Sequence, residues 1–235
     1  MTWPFDALTS YLKDFEHVTI VTPPGNVGDK FIQRGTRQLL DEHHIAVRFI
    51  DFTATELPVN TSVLCWGGGG NVSGRYNTAP MIQRFSALAK RRDIPFVLLP
   101  QSIEKRSPVL DLFDKVFLRD IVSVAMCRNS CLVPDLALAN VLAQAKPVEQ
   151  KQAVFRNDAE TTNKHVKNDP RRGMSLDNFI SLAGQAEVLE TDLLHLSICA
   201  ALQGVTVYLH PCNWHKNVSM FRTWLHQLPN FNFVS

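Results

Sequence analysis

Short apolar runs alternate along this chain with stretches in which apolar residues return every three or four positions. "HVTIVTP" (17–23) is β-branched and closed by Pro23 and Pro24, the pattern of a short buried strand ending in a turn. In "GNVGDKFIQRGTRQLLDEH" the side chains of Phe31, Ile32, Leu39 and Leu40 share one helical stripe, so the unit reads strand, glycine loop, helix. The order recurs. "AVRFIDF", "SVLCWG", "IPFVLLPQS" and "VFLRD" read as strands, "TAPMIQRFSALAKRRD" as an amphipathic helix, and a further helix falls near 121–127. Strands alternating with helices across short loops predict a parallel sheet covered on both faces.

The periodicity breaks beyond Leu142, where "AQAKPVEQKQ" is polar and reads as a linker. This divides the chain into a lobe of residues 1–145 and a smaller one of residues 146–235. In the second, "AVFRND" and "AEVLET" read as strands, "MSLDNFISLAGQ" and "LLHLSICAALQ" as helices, and "VTVYLHP" as the last strand. "AETTNKHVKNDPRRG" (159–173) is polar and basic with little to bury, so a mobile loop is expected there.

Composition narrows the function classes. With 24 Lys and Arg against 22 Asp and Glu the chain has no global basic field, and its aromatic residues follow no basic stripe, which argues against nucleic-acid binding. The longest apolar runs fall well short of the roughly twenty residues that span a bilayer. Five cysteines without a signal peptide suit a reducing cytoplasm rather than a disulfide framework. Cys127 and Cys131 are spaced to share a helix face, but no second Cys or His pair stands at a zinc-like distance, so no metal is expected.

Ligands of open parallel sheets bind outside the carboxyl ends of the strands. "GNVGD", "GGGGN", "PQS", "RD", "FRND" and "TDLLH" all fall at such ends and could gather in one crevice. Gly25, Asn26, Gly28 and Asp29 open a helix, where free N–H groups suit an anion and Asp29 could equally be a cap. Four successive glycines, Gly67, Gly68, Gly69 and Gly70, exceed what a turn needs; they fit either a ligand approaching the backbone or close backbone packing. Arg119, Arg156, His195 and Lys216 are the candidate cations for phosphate or carboxylate. An ion pair of Arg119 with a neighbour such as Asp120, and a buried structural His195, are the competing readings. No nucleophile elbow, zinc helix or D-x-D pair is present.

Taken in order, "GNVGD", "GGGGNVSGRY", "LLPQS", "FLRDIVS", "VPDLAL", "FRNDAE", "TDLLHLSICAALQG" and "NWHKNVSMFRTW" resemble the polysaccharide pyruvyl transferase family from about residue 19 to 225. The resemblance implies an α/β fold of two Rossmann-like lobes, like the B-type glycosyltransferases, with a reduced carboxyl-terminal lobe and the active site between them. It implies transfer of pyruvate as a ketal from phosphoenolpyruvate to a sugar of a cell-surface glycan or exopolysaccharide, free or lipid-linked. No cofactor is implied beyond this donor substrate, and the setting is cytoplasmic, with peripheral association at the inner face of the membrane. Arg156 corresponds to a donor-binding arginine, and His195 to a donor-binding histidine that can act as general acid. Asp29 and Asp192 are candidates to take a proton from the acceptor. The tetraglycine, Asn71 and Lys216 would face the donor; Asn26, Gln101, Ser102 and Arg119 would shape the cleft or the acceptor side.

Where the family pattern reads "TDRLH", this chain has Leu193, so a charge-assisted contact worth about 1.5–3 kcal/mol is missing there. Lys216, Arg171 or Arg172 could replace the charge. Two other readings fit the same residues: a transferase with another donor, such as a nucleotide sugar, and a non-catalytic glycan-binding homologue.

Overall fold

Six parallel strands form the first sheet: β1 Val18–Thr22, β2 Val47–Asp51, β3 Val63–Trp66, β4 Phe96–Gln101, β5 Lys115–Leu118 and β6 Ser130–Leu132, in the order β2-β1-β3-β4-β5-β6. A second parallel sheet follows from β7 Glu149–Val154, β8 Ala186–Thr191, β9 Thr206–Leu209 and β10 Phe231–Phe233, in the order β10-β9-β8-β7. The helices are α1 Asp6–Lys13, α2 Val27–Glu42, α3 Ala79–Arg91, α4 Ile121–Met126, α5 Leu176–Ala183, α6 Leu194–Leu202 and α7 Lys216–Thr223. The computed structural model describes residues 2–234 apart from 73–74, 128, 159, 163–168 and 170–172. The fold is therefore α/β with two Rossmann-like lobes, the second having the smaller sheet.

The apolar stripe read from the sequence does the packing. Phe31, Ile32, Leu39 and Leu40 on α2 are all buried, in a core that runs without interruption into the second lobe through Phe179, Leu196 and Ile198. Phe31 and Phe179 meet with ring centroids 5.9 Å apart, so α2 serves both sheets. A separate cluster around Trp66, Phe85 and Phe96 fills the opposite face of the first sheet.

The segment joining the lobes is pinned to α2. Asn140 Nδ2 donates to the main-chain oxygens of Phe31, at 3.0 Å, and Ala137, at 2.9 Å, which fixes the turn that carries Asp135. The carboxyl-terminal helix crosses back: Ser219 Oγ on α7 donates to Asp120 Oδ1 at 2.7 Å, and Trp224 Nε1 donates to Arg119 O at 2.7 Å.

Three sequence expectations need correction, and a fourth lies outside what the structure describes. Helix α1 and strands β6 and β10 are real elements, so "VTVYLHP" is not the last strand; each missed element is too short to show a period. The linker is shorter than its composition implies, because residues 149–152 lie in β7, an edge strand whose exposed positions favour polar side chains. Cys127 caps α4 while Cys131 lies in β6, so they share no helix face. The expected mobile loop at 159–173 lies mostly outside the described residues, as do Arg171 and Arg172.

Candidate active site

The first sheet changes direction between β1 and β3, and the loops leaving these two strands part there to open a crevice. The carboxyl ends of β5, β7, β8 and β9 face the same opening. The result is a cleft of about 720 Å³ between the lobes. Asn26, Asp29, Gly70, Asn71 and Arg119 line it from the first lobe, and Arg156, His195 and Lys216 from the second. Gly67, Gly68, Gly69, Gln101, Ser102 and Asp192 stand behind this lining.

Asn26 and Asp29 begin α2 with a reciprocal cap: Gly28 N donates to Asn26 Oδ1 at 2.8 Å, and Asn26 N to Asp29 Oδ2 at 2.8 Å. Asp29 is thus both a cap and a cleft residue. Gly28 admits a neighbour, since a Cβ there would lie 2.7 Å from His195 Nδ1.

Most of the tetraglycine is explained by packing. A Cβ at Gly67 would lie 2.9 Å from Val21 O, and one at Gly68 would lie 3.2 Å from Pro100 O. Gly69 has φ +132, a conformation that side chains rarely adopt. The N–H groups of Gly67 and Gly69 donate to Val21 O at 3.0 Å and Pro100 O at 3.1 Å, so the sheet takes them rather than a ligand. Gly70 differs: it reaches the cleft, and a Cβ there would meet only Arg119 Nη2, at 3.5 Å.

Arg119 leaves the end of β5 fully buried. Its ion pair is with Asp135, Nη1 to Oδ2 at 2.5 Å, rather than with its chain neighbour Asp120. Nε donates to Ser102 Oγ at 2.8 Å, which gives that buried serine a positioning place behind the cleft. Nη2 has no hydrogen-bond partner among the described residues. His195 Nε2, from the second lobe, lies 3.3 Å from Arg119 Nη1 and 3.5 Å from Asp135 Oδ2. Burial opposes ionisation of Asp135, yet Arg119, His195 and the Ala137 N–H together hold its carboxyl well below the usual range.

A second charged group faces them. Arg156 Nη1 and Lys216 Nζ both donate to Glu160 Oε2, the latter at 2.6 Å, and Tyr76 OH donates to Glu160 Oε1 at 3.0 Å. Arg156 Nε, 3.5 Å from Asp158, makes no hydrogen bond among the described residues. Burial works against a charged Glu160, but Lys216 and Arg156 outweigh it and hold the carboxyl well below its ordinary value. Burial lowers the Lys216 ammonium, with Arg156 adding to the effect. The Tyr76 hydroxyl is pushed up to about 12 by burial and by Glu160.

Asp192 is fully buried; Oδ1 accepts from Arg156 N at 2.8 Å and Oδ2 from Thr161 Oγ1 at 2.9 Å. It holds the Arg156 turn instead of facing the cleft, and burial raises its carboxyl above the ordinary value. Asn71 Oδ1 accepts from Trp66 Nε1 at 2.8 Å and from Gln101 Nε2 at 3.2 Å, which places Gln101 behind Asn71. Asp135, Tyr76 and Glu160 are site residues that the sequence reading did not single out. Asp135 and Glu160 stand inside the quoted "VPDLAL" and "FRNDAE", and a partner for each arginine was the available signal.

A sequence model of the polysaccharide pyruvyl transferase family matches residues 26–209. Among curated proteins none matches the chain. Among solved structures, an uncharacterized protein from Klebsiella pneumoniae subsp. pneumoniae superposes with a TM-score of 0.80 at 23% identity, over 98% of this chain and 97% of that one. The glycotransferase of kitacinnamycin superposes with a TM-score of 0.45 at 8% identity, over 94% of this chain and 86% of that one. No helix among the described residues is long and apolar enough to cross a membrane.

Proposed function

We propose, on the premise that the chain belongs to the polysaccharide pyruvyl transferase family, that the cleft binds phosphoenolpyruvate and transfers its pyruvate as a ketal to a sugar of a polysaccharide. One observation carries this reading: Arg119 and His195, from opposite lobes, meet at the lining of a cleft that also holds Arg156 and Lys216. A small donor with both a carboxylate and a phosphate calls for cationic donors on two sides.

In the chemistry we assign, a proton goes to the methylene carbon of the donor and the adjacent carbon becomes electrophilic. The first sugar hydroxyl attacks that carbon and loses its proton to a base. Phosphate then leaves as the C–O bond to it breaks, and the second hydroxyl closes the ring on the same carbon. Its proton departs with the phosphate, so two hydroxyl protons balance one C–H bond and one protonated phosphate. His195, set between Asp135 and Arg119, is assigned the proton for the methylene carbon. Asp29 is assigned the first hydroxyl proton, because its carboxylate reaches the cleft whereas that of Asp192 is enclosed. Arg119, Arg156 and Lys216 are assigned the donor's anionic groups. This activity belongs in the cytoplasm, where phosphoenolpyruvate is made, with the acceptor presented at the inner face of the membrane.

Phosphate release from phosphoenolpyruvate in the presence of a panel of free and lipid-linked saccharides tests the proposal. Acceptor-dependent release that His195→Ala abolishes supports it. Saccharide binding without any release would favour the glycan-binding alternative, which has one observation on its side: the cleft lining includes Leu193, an apolar side chain that offers no charge to a donor.

A further inference from the structure

Asn71 lines the cleft although it is only 7% exposed, and its side-chain amide has one permitted orientation. Gln101 Nε2 lies 2.6 Å from the main-chain oxygen of Gly67; a carbonyl only accepts, so this atom must be the amide nitrogen. The same nitrogen stands 3.2 Å from Asn71 Oδ1. Trp66 Nε1, a group that can only donate, reaches Asn71 Oδ1 at 2.8 Å. Two donors converging on one atom require an oxygen there. The Asn71 nitrogen therefore takes the other position. The main chain is fixed as well, since Thr78 Oγ1 donates to Asn71 O at 2.8 Å.

Asn71 Nδ2 and Arg119 Nη2 are both buried and both lack a hydrogen-bond partner among the described residues. They flank the same bare stretch of backbone: a Cβ at Gly69 would lie 3.5 Å from Asn71 Nδ2 and 3.1 Å from Asp29 Oδ1, and one at Gly70 would lie 3.5 Å from Arg119 Nη2. Buried donors are rarely left unpaired, and such exceptions call for an explanation. An anion entering along Gly69 and Gly70 would bring oxygens toward both donors.

We infer that Asn71 Nδ2, beside Arg119 Nη2 and the open backbone of Gly70, forms an oxyanion subsite for a phosphate or carboxylate oxygen, and that Trp66 and Gln101 are the positioning residues that hold the amide with its N–H groups toward the ligand. The identity of the anion as phosphoenolpyruvate rests on the function proposed above; the subsite itself does not.

Calorimetric titration of the full chain with phosphoenolpyruvate, inorganic phosphate and pyruvate tests this, using wild type, Asn71→Asp and Trp66→Phe. Asn71→Asp retains an oxygen for Trp66 and Gln101 but turns a carboxylate oxygen to the ligand. It is expected to fold and to bind the anion about tenfold or more weakly. Trp66→Phe frees the amide to turn without altering charge, and is expected to weaken binding by a smaller factor. A loss seen with phosphate but not pyruvate assigns the subsite to the phosphate; the reverse assigns it to the carboxylate. Wild-type affinity in Asn71→Asp would overturn the subsite while leaving the donor proposal standing, and wild-type affinity in Trp66→Phe alone would remove the positioning role. A wild type that binds phosphate but not phosphoenolpyruvate would defeat the donor proposal and keep the subsite. If none of the three anions binds, the subsite is refuted.

Discussion

Arg119 Nη1 stands 3.3 Å from His195 Nε2, although one residue ends a strand of the first sheet and the other lies in a helix of the second lobe. An arginine can only donate, so Nε2 accepts from it only in the tautomer whose proton sits on Nδ1, beside Gly28. A proton arriving on Nε2 would instead be turned to Asp135 Oδ2, 3.5 Å away. The contact therefore sets a side chain of the second lobe against the buried ion pair of the first.

Asp135→Asn leaves the Arg119 guanidinium buried without its counter-charge. Both side chains are almost wholly enclosed, so a stability loss of about 3–5 kcal/mol is expected in urea unfolding. The pH dependence follows from the depressed carboxyl. Its contribution is present above the ordinary carboxylate range and is lost as pH falls below about 4 toward the folded value. Acid titration of stability should therefore be shallower in Asp135→Asn, with the depressed Glu160 carboxyl supplying part of the remaining slope.

Gly69→Ala and Gly70→Ala should separate folding from binding. At Gly69 the backbone has φ +132, and an alanine is expected to cost about 1–3 kcal/mol in thermal or urea unfolding. At Gly70 a methyl group meets only Arg119 Nη2, so stability should stay within about 0.5 kcal/mol of wild type. Affinity for phosphoenolpyruvate should fall in that variant, because the methyl covers the approach to Arg119.

Gly28→Ala tests whether the placement of His195 matters for turnover. Alanine favours a helix by about 1 kcal/mol over glycine, but here its Cβ would lie 2.7 Å from His195 Nδ1. The ring must shift. Phosphate release should drop by more than any change in unfolding free energy accounts for, whereas equal activity would show that the ring position is not critical.

Leu193→Arg restores the residue of the family pattern, yet the structure predicts harm rather than gain. Leu193 lines the cleft, but it is 2% exposed and packs in the core that joins the lobes, so a guanidinium there is poorly solvated. The variant should melt earlier than wild type. A rise in phosphate release at unchanged stability would show that the cleft accommodates the guanidinium and that the missing charge limits activity.

The long periodic segments were legible because their burial follows their pattern, as in the α2 stripe of Phe31, Ile32, Leu39 and Leu40. Strand-end motifs were legible for the same reason: a parallel sheet collects them at one edge. The tetraglycine was only half legible. Its first three members serve contacts with Val21, Pro100 and the backbone turn, and these depend on strand order, which no local pattern records. Partners were illegible too, since Asp135 follows Arg119 by sixteen residues and reaches it because the paired strands β5 and β6 end side by side. Glu160 carries no period; only the burial of Arg156 and Lys216 shows why a carboxylate must lie between them.

Thermal unfolding of wild type, Arg156→Ala and His195→Ala across a phosphoenolpyruvate titration tests the two-sided donor cleft most directly. A ligand of the folded state adds about 2.7 kcal/mol at a hundredfold excess over its dissociation constant. The wild-type melting temperature should climb with donor concentration, and both variants should show little or no climb. No shift in the wild type at millimolar donor, or equal shifts in all three proteins, would contradict the account.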